Sequence, residues 1–440
     1  MELRIYSLPY PTSVWEYYHL YNKLPGFALL QSTDRARGRY DILTAFPYDQ
    51  FTIERNCSNI AQLWDGFQDT LKVKSSCYDY PFQGGAIGYI SYDFGEYLAG
   101  LNFNNQTLED NLPLIDLKFY DWAIIVDHHQ QKAEVVAAHQ HTDTKTIISD
   151  IIQQWKASIN QEPDVRLSKA FSSPISQDAY LNAFSKIHHA LRWGRAYQVN
   201  YTIPFLAEFN DDPWLIYEKV SLQNKVPYAA FLRHSEFDIL SFSPERFLLG
   251  ENQNLFVSPI KGSAPRSDDH LLDERYQLQL KLSEKNRAEN IMIVDLLRND
   301  LGKIALPGTV RVQSLCELQS YAQVHHLVSN IEAKLKSGTH PLEAFKACFP
   351  GGSITGAPKL EAMRIIRERE PYARGIYCGN IGYFSNHGRF DMNIAIRTII
   401  AQKNKLYLRA GGGIVMDSNV HEEYEECYTK IKAIINEITI

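Results

Sequence analysis

The chain has 440 residues, 45% of them apolar and 22% charged, and a net charge of −6. That length provides for two or three core-sized units or one large one, and the composition excludes wholesale disorder. The mild acidity, with no dense basic run, excludes nucleic acid as the main partner, and no uncharged apolar run approaches the ~18 residues of a membrane span.

The first residues, Met1 to Tyr18, lack a basic stretch followed by an apolar one, so no secretory leader is expected. Six cysteines stand at 57, 77, 316, 348, 378 and 427 without a C-x-x-C pair. They suit neither a structural zinc nor a disulfide framework, and point to a reducing, cytoplasmic setting.

The first ~165 residues read mainly as strands, with a hairpin of 122–127 and 132–138 around the turn His128-His129-Gln130-Gln131. His139 and His141 invite a zinc reading, but turn and strand-end histidines explain them without a metal. A helix is expected over 143–160, and the polar Pro- and Ser-containing stretch after it places a boundary near 165, dividing 1–165 from 166–440. From Gln177 to about Trp193, Leu181, Phe184, Ile187 and Leu191 recur at helical spacing, with Gly194 where a C-terminal cap belongs. A strand at 196–204 and alternating strands to about 260 follow. Helices are expected over 268–301, 357–369 and 421–437, with strands near 377–384, 390–400 and 405–415. Strands interleaved with long helices, without a βαβ rhythm, imply an α+β fold with large antiparallel sheets.

Arg246–Gly250 and Asn254–Ser258 read as a hairpin turning at Glu251-Asn252-Gln253. Counting outward from a turn centred on 252–253 brings Glu245 opposite Lys261, or within one residue of it, with Cβ atoms roughly 5 Å apart. Such a pair is either a cross-strand salt bridge or a lysine kept dry beside an acid and made nucleophilic. Hairpin arithmetic does not choose, and a slip of one residue would put the two on opposite faces.

The last helix carries Tyr424, Tyr428, Ile431, Ile435 and Ile438 as an apolar stripe, with Glu423, Glu426 and Lys430 on a neighbouring one. Those carboxylates are a solvated face or metal ligands. Glu289 precedes the apolar run Ile291–Val294 and needs a partner there. Carboxylates from two helices, completed by water and substrate oxygens, suit Mg²⁺, and no His/Cys cluster competes for a softer metal.

The run 350–359, PGGSITGAPK, leads into a helix whose amides could cradle an anion, yet it lacks the Lys-Ser/Thr of a P-loop. The run 410–415, AGGGIV, allows a ligand to approach the backbone closely. Arg397, among the apolar residues of NIAIRTII, must meet an anion from the protein or a ligand.

These stretches in order, GRAYQVNYT, SPERF, SPIKGSAPR, AENIMIVDLLRNDLG, VHHLVS, GGSITGAPK, RGIYCGNIGYF, AIRT, AGGGIV and EEYEECYTK, resemble the chorismate-utilising enzymes. That family includes anthranilate, aminodeoxychorismate, isochorismate and salicylate synthases. The likeness covers roughly 175–440 and extends more loosely through RYDILTAFP and GGAIGYISYDFGEY. It implies antiparallel sheets packed as a sandwich with helices outside. Isochorismate-forming members carry Lys where Gln198 stands, and anthranilate synthases usually have Ala where Lys261 stands. The chain is therefore most similar to the aminodeoxychorismate-forming branch, with anthranilate synthesis as the alternative. Ser263-Ala264 replaces the commoner Thr-Arg, and Asn286 stands where an acidic residue often supports the metal.

The resemblance implies Mg²⁺ between the ring carboxylate of chorismate and Glu289 and Glu426, with Glu423 nearby. It implies that Arg397, Tyr377 and the backbone of Gly411, Gly412 and Gly413 hold the enolpyruvyl carboxylate. Gln198, His326, Ser353 and Lys430 match further substrate-site positions, with a purely structural role also open to His326. Lys261 would attack C2 of the ring while Glu245 protonates the departing C4 hydroxyl, and ammonia would then displace the lysine. No cysteine sits in a Gly-x-Cys-x-Gly elbow, so a separate class I glutamine amidotransferase subunit is expected as ammonia source. Leu29–Ser32, LLQS, lies where anthranilate members carry their tryptophan-feedback motif, which raises tryptophan as a ligand of the N-terminal region.

Overall fold

The computed structural model describes residues 2–102, 106–110, 112–155, 163–321 and 324–438. The strand Trp122–Asp127 shows how its layers arise. Trp122, Ile124 and Val126 enter one core while Ala123 and Ile125 enter another, so a strand covered on both faces reads as an unbroken apolar run. The same alternation runs through two large antiparallel sheets, of 12 and 10 strands among the described residues.

The core between the sheets takes Ile125, Ile239 and Tyr407 from the larger sheet and Ile87, Ile381 and Tyr383 from the smaller. Outside the larger sheet lie the helices Val14–Tyr21, Thr144–Gln154, Gln177–Arg192, Pro213–Gln223, Lys359–Arg369 and Val420–Ile435. Outside the smaller lie Ile60–Thr70, Tyr92–Leu98, Glu284–Gly302 and Pro341–Cys348. The sandwich with helices outside is thus as expected. No helix among the described residues is long and apolar enough to cross a membrane.

Both sheets draw strands from either side of residue 165. Ala28–Gln31 pairs with Tyr228–Arg233 in the larger sheet, and Gly85–Ile90 with Asn380–Ser385 in the smaller. The N-terminal stretch is also less purely strand than its sequence suggests. Val14–Tyr21, Ile60–Thr70 and Tyr92–Leu98 are helices, short enough that their apolar spacing resembles strand alternation. The helix expected over 143–160 runs Thr144–Gln154, and residues 156–160 lie outside those described.

Helix Gln177–Arg192 starts and stops where its sequence says. The Ser176 hydroxyl accepts from the Ala179 amide, and Gly194, at φ +72°, lets Arg195 N–H reach back to the Ala190 carbonyl at 3.0 Å. The helix expected over 268–301 is two helices, His270–Leu282 and Glu284–Gly302. Between them Ser283 takes an extended ψ of 105° and caps the second through the Asn286 amide. The single strand expected over 390–400 is also two, Phe390–Asn393 in the smaller sheet and Thr398–Gln402 in the larger.

Candidate active site

That last break positions the site. Two of the chain's passages between the sheets meet here, from Asp238–Ser243 to Arg246–Glu251 and from Phe390–Asn393 to Thr398–Gln402. The crossings are stitched side by side. Ile394 N–H donates to the Glu245 carbonyl (3.0 Å), Phe242 N–H to the Arg397 carbonyl (3.0 Å), and Ser243 Oγ to the Ile394 carbonyl (2.6 Å). Glu245 and Arg397 are therefore crossover residues, freed from both ladders, and Arg397 sits at φ +52°. That conformation is uncommon for a residue with a side chain, and such positions cluster at functional sites.

The hairpin forms with the two-residue turn Asn252-Gln253, both at positive φ, and places Gly250 opposite Leu255. Its ladder does not reach Glu245. The strand Ile260–Pro265 instead pairs with Val324–Lys334, and the register slips between Ile260 and Ser263. Lys261 and Gly262 occupy that bulge, with Gly262 at φ +81°. The glycine beside the lysine thus supplies the left-handed residue that turns the lysine out of the sheet.

Both side chains open into one cavity of about 610 Å³. It is lined by Glu245, Lys261, Glu289, His326, Ser353, Tyr377, Arg397, Gly411, Gly413, Glu423, Glu426 and Lys430, twelve of the positions singled out from the sequence. Gln198 and Gly412 are not in the lining. Gln198 is fully buried, its amide within 2.5 Å of where a Cβ on Gly413 would stand. Gly412 faces the last helix, where a Cβ would lie 3.0 Å from Glu423 Oε2 and 3.5 Å from Glu426 Oε1. Two carboxylates therefore converge above one glycine.

Helix Val420–Ile435 buries Cys427, Ile431 and Ile434 at the centre of its packed face, flanked by Tyr424 and Tyr428. Glu423 lies one turn before Cys427 and is buried with it, so it is not part of a solvated face. Burial pushes its carboxyl up, against a hydrogen bond from Ser418. Lys430 Nζ bonds Glu426 Oε1 at 2.6 Å and the Gly411 carbonyl at 2.8 Å. Ile291, expected to be buried, is 40% exposed, while Glu289 is half-buried. Among the described residues no three His, Cys, Asp or Glu side chains stand close enough to hold a metal ion by themselves.

Burial lowers the Lys261 ammonium pKa, opposed by Glu245, Glu289 and Glu426 and reinforced by Lys430. Burial raises the Glu245 carboxyl, opposed by Lys261, a hydrogen bond from Ser353, and Lys430. Burial thus works against both charges, and each group's charge works in favour of the other's. Arg397 also feels burial, with Arg37 adding a second positive charge, and no carboxylate among the described residues pairs with it. The anion it requires is left to a ligand.

Asn200, Lys285 and Arg409 also line the cavity and were not singled out. Asn200 lies two residues beyond Gln198, and Arg409 two before Gly411, so strand alternation from either marked residue would have found them. Arg409 and Arg374 share Glu370 in a buried triad, at 3.1 and 2.7 Å, and Arg374 fixes the Ile354 and Asn200 carbonyls beneath the cavity. The 350–359 run is held by these bonds and by the pairing of Gly356–Ala357 with Gln198 and Val199.

Lys261, Glu245, Arg397 and the three glutamates line one cavity, and residues 27–436 match the chorismate binding enzymes. The chain belongs to that family. Among its relatives, aminodeoxychorismate synthase component 1 of Salmonella typhimurium is 38% identical over 98% of this chain and 97% of its own. Anthranilate synthase component 1 of Thermus thermophilus is 34% identical over 81% and 78%. The crystal structure of anthranilate synthase component I from Streptococcus pneumoniae superposes with a TM-score of 0.80 at 28% identity, covering 90% of this chain and 92% of the other. The aminodeoxychorismate synthase components 1 of Escherichia coli and Klebsiella aerogenes are 37% and 36% identical over 96% and 98% of this chain.

Proposed function

We propose that the chain is the chorismate-aminating component of an aminodeoxychorismate synthase, making 4-amino-4-deoxychorismate from chorismate and ammonia. The observation that carries this reading is Lys261 in its bulge, sharing a cavity with Glu245. Arg397 and Tyr377 hold the enolpyruvyl carboxylate. The neutral Lys261 amine bonds to C2 while Glu245 gives its proton to the C4 hydroxyl, which leaves as water. Ammonia then bonds to C4, the C2–N bond breaks, and Lys261 is released. Ser353, bonded to Glu245, keeps that carboxyl aimed at the leaving oxygen.

The all-oxygen donors fit Mg²⁺, which takes one or two protein carboxylates and completes its shell with water and substrate oxygens. Glu289 and Glu426 would hold it, with Glu423 behind. When bound it neutralises the ring carboxylate.

The ammonia comes from a separate class I glutamine amidotransferase subunit, a reading supported by the "component 1" names of the relatives. Six unpaired cysteines favour a cytoplasmic setting. Leu30, Gln31 and Ser32 line a second cavity of about 420 Å³ between the sheets, which we assign to tryptophan; a calorimetric titration that gives no heat removes that assignment.

Incubation with chorismate, Mg²⁺ and an ammonium salt, followed by mass analysis, is expected to give aminodeoxychorismate. Anthranilate as the main product would overturn the reading. Lys261→Ala is expected to lose at least ~10³-fold in turnover while still binding chorismate.

A further inference from the structure

A residue far in sequence from every catalytic stretch is linked through two rings to the wall of this site. The loop after Ala28–Gln31 is fixed by the Thr33 and Asp34 amides, which donate to the Val226 carbonyl at 2.9 and 3.0 Å. From it Arg37 bonds Asp34 (Nε to Oδ2, 2.6 Å) and lies over the Tyr321 ring, its guanidinium carbon 4.4 Å from the centroid. The Tyr321 ring is in turn 5.9 Å from that of His326. His326 sits opposite Ser263 in the ladder, and its Nδ1 shares a 2.7 Å hydrogen bond with the Ser263 hydroxyl, at the end of the bulge that carries Lys261.

The cavities trace the same path. Arg37 lines the 420 Å³ inter-sheet cavity and a smaller one of about 290 Å³, and Pro244 and Ile260 line both that smaller one and the active-site cavity.

We propose that Arg37 is a positioning residue for amination: through Tyr321 and His326 it sets the bulge that carries Lys261, and its charge helps draw an anionic substrate to Arg397. This rests on the amination reading above and assigns the N-terminal region a part in it.

The ring-to-ring contact needs a planar cation that stacks, which an arginine provides and an aliphatic side chain does not. His326 ties both sides of the bulge: its Nδ1 shares a hydrogen bond with the Ser263 hydroxyl, and its ring donates to the Gly262 carbonyl. Burial, Arg37, Arg397 and His325 hold its pKa down at about 4.

The test compares wild type, Arg37→Met and Arg37→Lys for thermal midpoint, KM for chorismate and kcat. Arg37→Met is expected to raise KM about fivefold and lower kcat several-fold with the thermal midpoint held, and Arg37→Lys to keep KM by retaining the charge while losing kcat as Arg37→Met does, since an ammonium does not stack as a planar guanidinium does. Should Arg37→Met not fold, Tyr321→Leu removes the platform and is expected to lower kcat several-fold. An Arg37→Met enzyme with wild-type KM and kcat, or a Tyr321→Leu enzyme with wild-type kcat, overturns the proposal while the amination reading stands. A wild-type chain that does not turn over chorismate overturns both.

Discussion

Gly262→Ala isolates the geometry on which the lysine depends. At φ +81° an alanine sits in the left-handed region, which costs about 1–2 kcal/mol. Its Cβ would also stand 2.8 Å from Asn286 Cγ and 3.0 Å from both Asn286 Cβ and Leu280 Cδ1. Overpacking of that kind costs roughly 1–3 kcal/mol, so the total is about 2–5 kcal/mol if the backbone holds. The bulge has no second glycine to absorb the strain, and it relaxes by moving Lys261. A displacement of about 1 Å at a reacting amine costs on the order of 10²-fold in turnover. Gly194→Ala is the matched control. Its φ is +72°, but nothing lies within 4 Å of the added methyl. It should lose only the 1–2 kcal/mol left-handed cost and keep wild-type kcat. Urea unfolding and steady-state assay with ammonium salt measure both variants. Wild-type kcat in Gly262→Ala would refute the argument that the bulge positions the lysine.

Arg397→Met removes a cation that no carboxylate among the described residues pairs with, and KM for chorismate should rise about 10²-fold while the thermal midpoint holds, because no ion pair among them is broken. On the proposed mechanism the reactive state of Lys261 and Glu245 holds one proton between them, so activity is expected to fall both as acid protonates the lysine and as base strips the glutamic acid. In Glu245→Gln the alkaline limb is expected to vanish along with most of kcat, and an unchanged alkaline limb would assign that ionisation elsewhere. Glu370→Gln leaves two buried guanidinium groups short of charge and is expected to cost about 3–5 kcal/mol in urea unfolding. A loss below about 1 kcal/mol would show that the triad is not what holds the cavity floor.

Arg397 shows how local the readable information was. Its sequence marked it as a cation among apolar residues in need of an anion, and that need is real. Its setting was misread, since Asn393–Thr398 is a passage between sheets and not a strand interior. Nothing in a period-2 pattern distinguishes a strand that continues from one that changes sheets, because both faces are buried on either side of the break. Glu245 and Lys261 were paired by hairpin counting and do share a cavity, but by a different route, one at a crossover and the other in a bulge of another strand pair.

The sequence alone determined the chemistry available: which lysine, which carboxylates, which arginine, and the strand and helix periods that carry them, because residue type and local spacing are properties of the chain itself. The tertiary structure decided what those groups meet. Burial and charge at Lys261, the setting of Arg397 at a crossing between sheets, and the reach of Arg37 to Tyr321 depend on strands from both ends of the chain sharing two sheets. Long-range pairing of that kind is set by the summed packing of three cores, and no short stretch contains it.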